Sequence, residues 1–245
     1  MSKVSVQFLG SGDAFGSGGR FNACIYVQAP SGCFLLDCGA SSLIALKRFG
    51  VDPDRLDYIF LTHLHGDHFG GVPTIIRETD ILAKRTKPLA VCGPQGLEQR
   101  IRVAIEIFYP GAPIHENFPL TFLEWDETEP QAVGPLKAQA YPALHSPGAR
   151  PHMLRIEVDH KIIAYTGDTE WTDDLLRVAD GADLLICDCF TVEKKKNHLD
   201  YRTLQARRGD LNCRRLILTH MGDDMLTLLP NIEFEWAEDG KQFNL

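Results

Sequence analysis

Along this chain short apolar runs alternate with glycine-rich or acidic breaks, and stretches of helical spacing fall between them. Residues 4–9 alternate in part and stop at Gly10-Ser11-Gly12. A loop through Gly16-Ser17-Gly18-Gly19 leads into an apolar run at 23–27, and 34–36 make a further strand ended by Asp37-Cys38-Gly39. Ser41 or Ser42 can cap a helix reaching Phe49, because Leu43, Ile44 and Leu46 lie near one face and Gly50 ends it. A buried strand at 58–61 then runs into a histidine-rich turn, and a helix is predicted over 68–83.

Farther on, Leu97, Ile101, Ile105 and Phe108 have helical spacing within 95–108. Residues 120–125, 137–141, 153–158 and 161–165 read as strands of one or two sheets. A helix at 173–178, a strand at 183–186, a polar helix at 201–208 and a strand at 216–218 follow. The best midpoint break is 129–135, too short to link independent domains. Ile59-Phe60-Leu61-Thr62-His63 is echoed by Leu216-Ile217-Leu218-Thr219-His220. The echo is either a coincidence of two hydrophobic strands or a sign of two similar halves packed sheet on sheet, aiming strand ends at one cleft.

Composition narrows the classes. With 44% hydrophobic and 24% charged residues in 245, the chain has the balance of a folded protein with a core, not of a disordered one. No apolar run approaches the roughly 18 residues of a membrane span. The opening residues enter a strand pattern without a basic region and apolar run of signal-peptide length, so a cytoplasmic protein is expected. The net charge of −8 disfavours non-specific nucleic-acid binding. Seven cysteines, odd in number and without a CxxC pair, read as buried thiols rather than disulfides or a cysteine-rich zinc site.

The chemistry concentrates in Thr62-His63-Leu64-His65-Gly66-Asp67-His68, where three histidines and an aspartate fall within six residues directly after an apolar strand. A turn lets His63 and His65 point one way while Asp67 and His68 open the next helix, with Gly66 allowing the bend and Gly70-Gly71 a close approach. Imidazole and carboxylate suit zinc, manganese or iron. Four donors from one turn cannot complete two coordination spheres, so later strand ends are expected to add His145, Asp168 in Tyr165-Thr166-Gly167-Asp168-Thr169, and His220. A carboxylate at a strand end can place one oxygen on each of two metals ~3.5–4 Å apart. The loop GSGDAFGSGG is not followed by the helix that a dinucleotide-binding reading needs, and reads as a hairpin-like loop near the metals. Asp37 reads as a hydrogen-bonding support or a structural turn residue rather than a ligand. His115, His152 and His160 have no companions at metal spacing.

In combination, HxHxDH at 63–68, His145, Asp168 within YTGDT, and His220 resemble the metallo-β-lactamase superfamily over essentially the whole chain. The resemblance implies a four-layer α/β fold, an αββα sandwich of two mixed sheets flanked by helices, forming a single domain over 1–245. It implies a site at the edge where the sheets meet, with His63, His65 and His145 on one metal, Asp67, His68 and His220 on the other, and Asp168 bridging. FLGSG leading to Arg20 and Asn22, LLDCG at 35–39, and Asn197-His198 ten residues beyond DLLICDC resemble the ribonuclease Z and phosphodiesterase branch in particular. That likeness implies that His198, supported by Asp188, contacts the scissile phosphate or leaving group; the bland alternative is a surface histidine beside Lys194-Lys195-Lys196. Relatives are often dimers, which implies a homodimer.

The expected mechanism follows. Two divalent ions, zinc or manganese with iron as a third option, lower the pKa of a bridging water from 15.7 to about 7. Asp67 orients that hydroxide, and protonated His198 donates to the departing oxygen. Only 22 residues separate His145 from Asp168, so the long arm with which bacterial ribonucleases Z grip transfer RNA is missing. Transfer RNA is therefore disfavoured, and a small or nucleotide-derived phosphodiester is the expected substrate. A carboxylic ester, lactone or thioester hydrolase is the rival, because the same hydroxide attacks carbonyls. A di-iron redox enzyme fits less well, since His65 stands where such sites usually carry glutamate. A non-catalytic metal-binding relative is disfavoured by the complete ligand set.

Overall fold

The computed structural model describes residues 3–115 and 117–245. Strands β1 (Ser5–Gly10), β2 (Cys24–Ala29) and β3 (Gly32–Leu36) form an antiparallel meander. The next segments are α1 (Ser42–Arg48), β4 (Tyr58–Phe60), α2 (Gly66–Phe69), α3 (Val72–Ile81), β5 (Leu89–Gly93), α4 (Leu97–Phe108) and β6 (Leu120–Glu124), with β3 to β6 parallel to one another. The chain then changes sheets. Strands β7 (Gln131–Val133), β8 (Leu136–Pro142), β9 (His152–Val158) and β10 (Lys161–Tyr165) run antiparallel. After α5 (Asp174–Ala179) come β11 (Leu184–Asp188), α6 (Tyr201–Arg207), β12 (Leu216–Thr219), α7 (Asp223–Leu228) and β13 (Glu235–Trp236), parallel from β10 onward. Finally β14 (Gln242–Asn244) returns to pair with β1. The seven-stranded orders are β14-β1-β2-β3-β4-β5-β6 and β13-β12-β11-β10-β9-β8-β7.

The central strands are apolar at nearly every position because both of their faces are covered. Phe34, Leu36 and Phe60 of the first sheet meet Ile156, Ile163, Leu184, Ile186 and Ile217 of the second in a core between the sheets. Alternate residues point outward: Leu35, Ile59 and Val91 pack on Leu46, Ile75 and Ile101 of the helices, and Leu185, Cys187 and Leu218 pack on Leu175, Val178 and Leu204. The result is helix, sheet, sheet, helix, the α/β sandwich expected from the sequence. The loops after β4, β10, β11 and β12 all leave from carboxyl ends of parallel strands, where open α/β sheets place their ligands.

Several elements differ from the sequence reading. The helix expected over 68–83 is two helices separated at Gly70-Gly71, and His68 belongs to the first. The break lets Gly71 N donate to Cys38 O at 2.8 Å, and a Cβ on Gly71 would meet Gly39 O at 2.3 Å. Ser41 does stand at the start of α1, but its hydroxyl accepts from Asn22 N at 2.8 Å instead of capping the helix. Strands β5, β7, β13 and β14 and helix α7 were not legible, being short segments without a sustained period. The echo strands do not occupy matching places: β4 is third from the β6 edge, whereas β12 is second from the β13 edge.

Phe60 joins the central core, edge-on to Phe34 with ring centres 5.3 Å apart and stacked on Trp125 at 6.1 Å. Phe60→Ala is expected to cost about 3–5 kcal/mol of stability. The exposed Ile44→Ala should stay within about 0.5 kcal/mol of the parent. Urea midpoints of the two variants check both expectations.

Candidate metal centre

The turn after β4 carries His63 and His65, and α2 carries Asp67 and His68. His145 comes from the loop after β8, Asp168 from the loop after β10, and His220 stands just past β12. Folding draws these seven residues into two groups that share Asp168: His63, His65, His145 and Asp168, and Asp67, His68, Asp168 and His220. In the first, His65 Nδ1 lies 3.1 Å from His63 Nε2 and 3.2 Å from His145 Nε2. Asp168 Oδ2 is 3.8 Å from His63 Nε2 and 3.7 Å from His145 Nε2. In the second, Asp67 Oδ2 lies 3.2 Å from His68 Nε2 and 3.3 Å from His220 Nε2. Asp168 Oδ1 is 3.2 Å and 3.5 Å from the same two nitrogens. The two oxygens of Asp168 thus serve different groups.

These spacings fit a divalent cation. Donors on a tetrahedron with arms of 2.0–2.1 Å stand about 3.3 Å apart. His68 Nε2 and Asp168 Oδ1 are buried without a hydrogen-bond partner, although leaving such groups unsatisfied costs about 1–3 kcal/mol each. A cation between them would satisfy both.

A supporting layer orients the imidazoles. Asp37, fully buried, accepts from Thr62 N at 2.8 Å through Oδ1 and pairs with His68 Nδ1 at 2.6 Å through Oδ2. Thr62 Oγ1 in turn contacts His63 Nδ1 at 3.0 Å. His145 Nδ1 meets the Asn197 carbonyl at 2.7 Å. The support expected of Asp37 is therefore seen, and it reaches both groups. Thr62 and the Asn197 carbonyl were not foreseen, since neither side chain type nor spacing marks them. Gly167 has φ +51°, and a Cβ there would lie 2.7 Å from Thr62 Cβ, so the YTGDT turn needs glycine.

Protonation is divided between the groups. Burial and the neighbouring His68 charge hold His63 well below the ordinary imidazole value, and burial with His145 lowers His65. Burial also works against charge on His68 and His220, but Asp168 and the other facing carboxylates outweigh it. His68 is raised well above its ordinary value and His220 is raised to about 10. Asp168 is buried, yet the charges of His220 and His68 hold it far below the usual carboxylate range.

His198 stands beside the clusters, with Nδ1 3.0 Å from Asp188 Oδ2 and 4.0 Å from Asp168 Oδ2. Burial disfavours its charged form, but Asp188, by charge and hydrogen bond, raises its pKa above the ordinary value. The ring also rests against Phe190, with centres 4.6 Å apart. A cavity of about 360 Å³ opens over the site, lined by His65, Asp67, His145, Asp168, His198 and His220 together with Ala14, Phe15 and Phe190. The glycine-rich loop after β1 thus lies at the site, as its sequence suggested. The two phenylalanines were missed; their only signal was an aromatic residue inside or beside a loop. Among the described residues His115, His152 and His160 join neither group; His152 instead pairs with Glu127 at 2.8 Å.

Two seven-stranded sheets face to face between helices, with histidines and aspartates gathered at their strand ends, define a metallo-β-lactamase-fold protein of the ribonuclease Z-like branch. The chain belongs to the family described as "Anti-Pycsar protein Apyc1", which matches residues 4–235. It is similar to ribonuclease Z of Methanothermobacter thermautotrophicus, 26% identical over 273 residues that span 89% of this chain and 86% of that protein. The metallo-beta-lactamase fold protein YhfI of Bacillus subtilis superposes with a TM-score of 0.79 at 20% identity, over 100% of both chains. A diphosphatase from the PhnP family superposes with a TM-score of 0.77 at 16% identity, over 99% of this chain and 98% of that one. The likeness to ribonuclease Z leaves the expectation against transfer RNA without support, although residues 146–167 here hold only a turn and the β9–β10 hairpin. No helix among the described residues is long and apolar enough to cross a membrane.

Protons on His68 and His220 compete with a cation for the same nitrogens, so cation uptake must release them. Because both pKa values are raised, affinity for zinc or manganese should fall as pH drops from 8 to 6 and rise toward pH 10. Titration calorimetry in two buffers of different ionisation enthalpy reads the released protons directly. Asp37→Ala should weaken cation binding about 10- to 100-fold, by freeing the rings of both groups, as checked by competition with a chelating dye.

Proposed function

We propose that this metal-dependent hydrolase cleaves small or nucleotide-derived phosphodiesters at a centre holding two divalent cations, zinc or manganese. The observation that carries the reading is His198 on the wall of the cavity: its Nδ1 is held by Asp188 at 3.0 Å and lies 4.0 Å from Asp168 Oδ2, and the Asp188 carboxylate raises its pKa above the ordinary imidazole value. An alkoxide leaving group needs a proton, whereas a thiolate needs none, so a poised acid favours phosphodiesters over thioesters. The cavity, about 360 Å³, lies at the lower end of the range for small-molecule sites and supports a compact substrate.

In this reading His63, His65 and His145 would hold one cation and Asp67, His68 and His220 the other, with Asp168, which faces both groups, shared between them. When bound, the cations supply a hydroxide nucleophile near neutral pH and neutralise charge building on the phosphoryl oxygens. Asp67, which lines the cavity, orients the attacking group. His198 gives its Nε2 proton to the departing oxygen, and Asp188 stabilises the imidazolium before transfer and fixes the ring. Asp37 and Thr62 keep the rings of His68 and His63 aimed. A place in the cytoplasm accords with the seven cysteines, all unpaired.

Protein loaded with zinc or manganese should hydrolyse bis(p-nitrophenyl) phosphate far faster than p-nitrophenyl phosphate. On a diester whose leaving group is an alkoxide, such as a dinucleoside monophosphate, His198→Asn should lower kcat about 10²- to 10⁴-fold with cation content intact. The loss should be far smaller on bis(p-nitrophenyl) phosphate, whose p-nitrophenolate departs unprotonated. The acidic form of His198 persists above the ordinary imidazole value, so kcat should fall as pH rises through its raised pKa, and that basic limb should vanish in the variant. Turnover of the alkoxide-releasing diester unaffected by the substitution would remove the acid from His198 and return carbonyl esters to first place.

A further inference from the structure

Phe15 takes no part in holding the clusters, yet its ring is 89% exposed at the edge of the cavity they share. Its backbone is firmly held. The buried carboxylate of Asp13 accepts from Phe15 N at 3.2 Å, Ser17 N at 2.9 Å and Ser17 Oγ at 2.7 Å, and Asn22 Nδ2 donates to the Asp13 carbonyl at 3.0 Å. Gly16 and Gly18, with φ of 71° and 64°, complete a turn that most residues would strain. A single exposed phenylalanine on a surface means little. One mounted on a clamped loop, lining the same cavity as a second aromatic ring and the candidate cation ligands, is a different matter. Phe190 is that second ring, 4.6 Å from His198 and 6.1 Å from His220. Lys195 Nζ lies 5.2 Å from its centre.

Two apolar, flat side chains in a cavity whose other walls are imidazoles and carboxylates call for a ligand with a charged end and a flat aromatic end. We propose that Phe15 is a specificity-determining residue that stacks against a nucleobase carried by the substrate, a step beyond the phosphodiesterase reading on which it rests. The phosphodiester sits at the clusters and the base lies on the Phe15 ring. Phenylalanine offers a face but no hydrogen bonds to a base edge, so Phe15 selects for the presence of a base and not for its identity. Ala14, beside it, keeps the cavity mouth open to a bulky ring.

The test has a binding arm and a turnover arm, both on cation-loaded protein. By titration calorimetry, adenosine 5′-monophosphate should bind about 10- to 100-fold more tightly than ribose 5-phosphate. Phe15→Ala should cut that ratio at least about fivefold, and Phe15→Trp should retain it. In turnover, the kcat/KM ratio of thymidine 5′-p-nitrophenyl phosphate to methyl p-nitrophenyl phosphate should collapse in parallel. Both esters share a leaving group and differ in the nucleoside. A ratio unchanged by Phe15→Ala in both arms overturns the role of Phe15 while leaving the diesterase standing. Equal losses on both esters place the leaving group against Phe15 and overturn it too. If neither ester is turned over, the phosphodiesterase reading fails and the binding arm alone decides the stacking. Melting temperatures of the variants within a degree or two of the parent separate these outcomes from misfolding.

Discussion

A buried carboxylate stays charged only where its surroundings favour the charge, and Asp168 has imidazoles facing it on both sides. Oδ2 faces His63 and His145, while Oδ1 faces His68 and His220. This one side chain joins donors from both sheets, and the surrounding structure serves to bring it there. Strand β10 lies in the middle of the second sheet between β9 and β11, so its carboxyl end is fixed by pairing on both edges. Gly167 then lets the turn pass so close to Thr62 that a methyl group could not be inserted. On the opposite sheet Asp37, just past β3, ties Thr62 and His68 to one carboxylate. Movement of either sheet against the other would pull each of the two groups apart, so packing between the sheets and geometry of the site are a single problem.

The same arrangement sorts charge. Burial and neighbouring imidazoles lower the pKa of His63 and His65, whereas facing aspartates raise those of His68 and His220. His198 follows the second rule through Asp188, which ends β11, the neighbour of β10. A strand pair thereby sets the shared carboxylate and His198 side by side. Asp168, His198 and His220 follow three adjacent strands, β10, β11 and β12 in that order.

Much of this could be read from the sequence because it depends on residue type and short spacing. HxHxDH after an apolar strand, Asp168 in YTGDT and the histidine after 216–219 are local signals, and the fold brings all of them into the two groups. The αββα layering was legible through the likeness to a superfamily, not through periodicity: central strands apolar on both faces look alike whichever sheet they join. What escaped depends on long-range contact. Ser41 looked like a helix cap until Asn22 was placed beside it, and the pairing of β14 with β1 joins the two ends of the chain. Short strands such as β13, two residues long, form only because a neighbour offers an edge. Phe15 carries no motif at all; its interest lies wholly in its exposure beside the cavity.

The central claim is that one carboxylate joins two cation sites. Crystals grown with zinc and measured on both sides of the zinc absorption edge test it most directly. The account predicts two anomalous peaks roughly 3.5–4 Å apart, one among His63, His65 and His145, the other among Asp67, His68 and His220, with Asp168 between them. A single peak at saturating zinc, or two peaks that leave Asp168 without a cation on either oxygen, would contradict it.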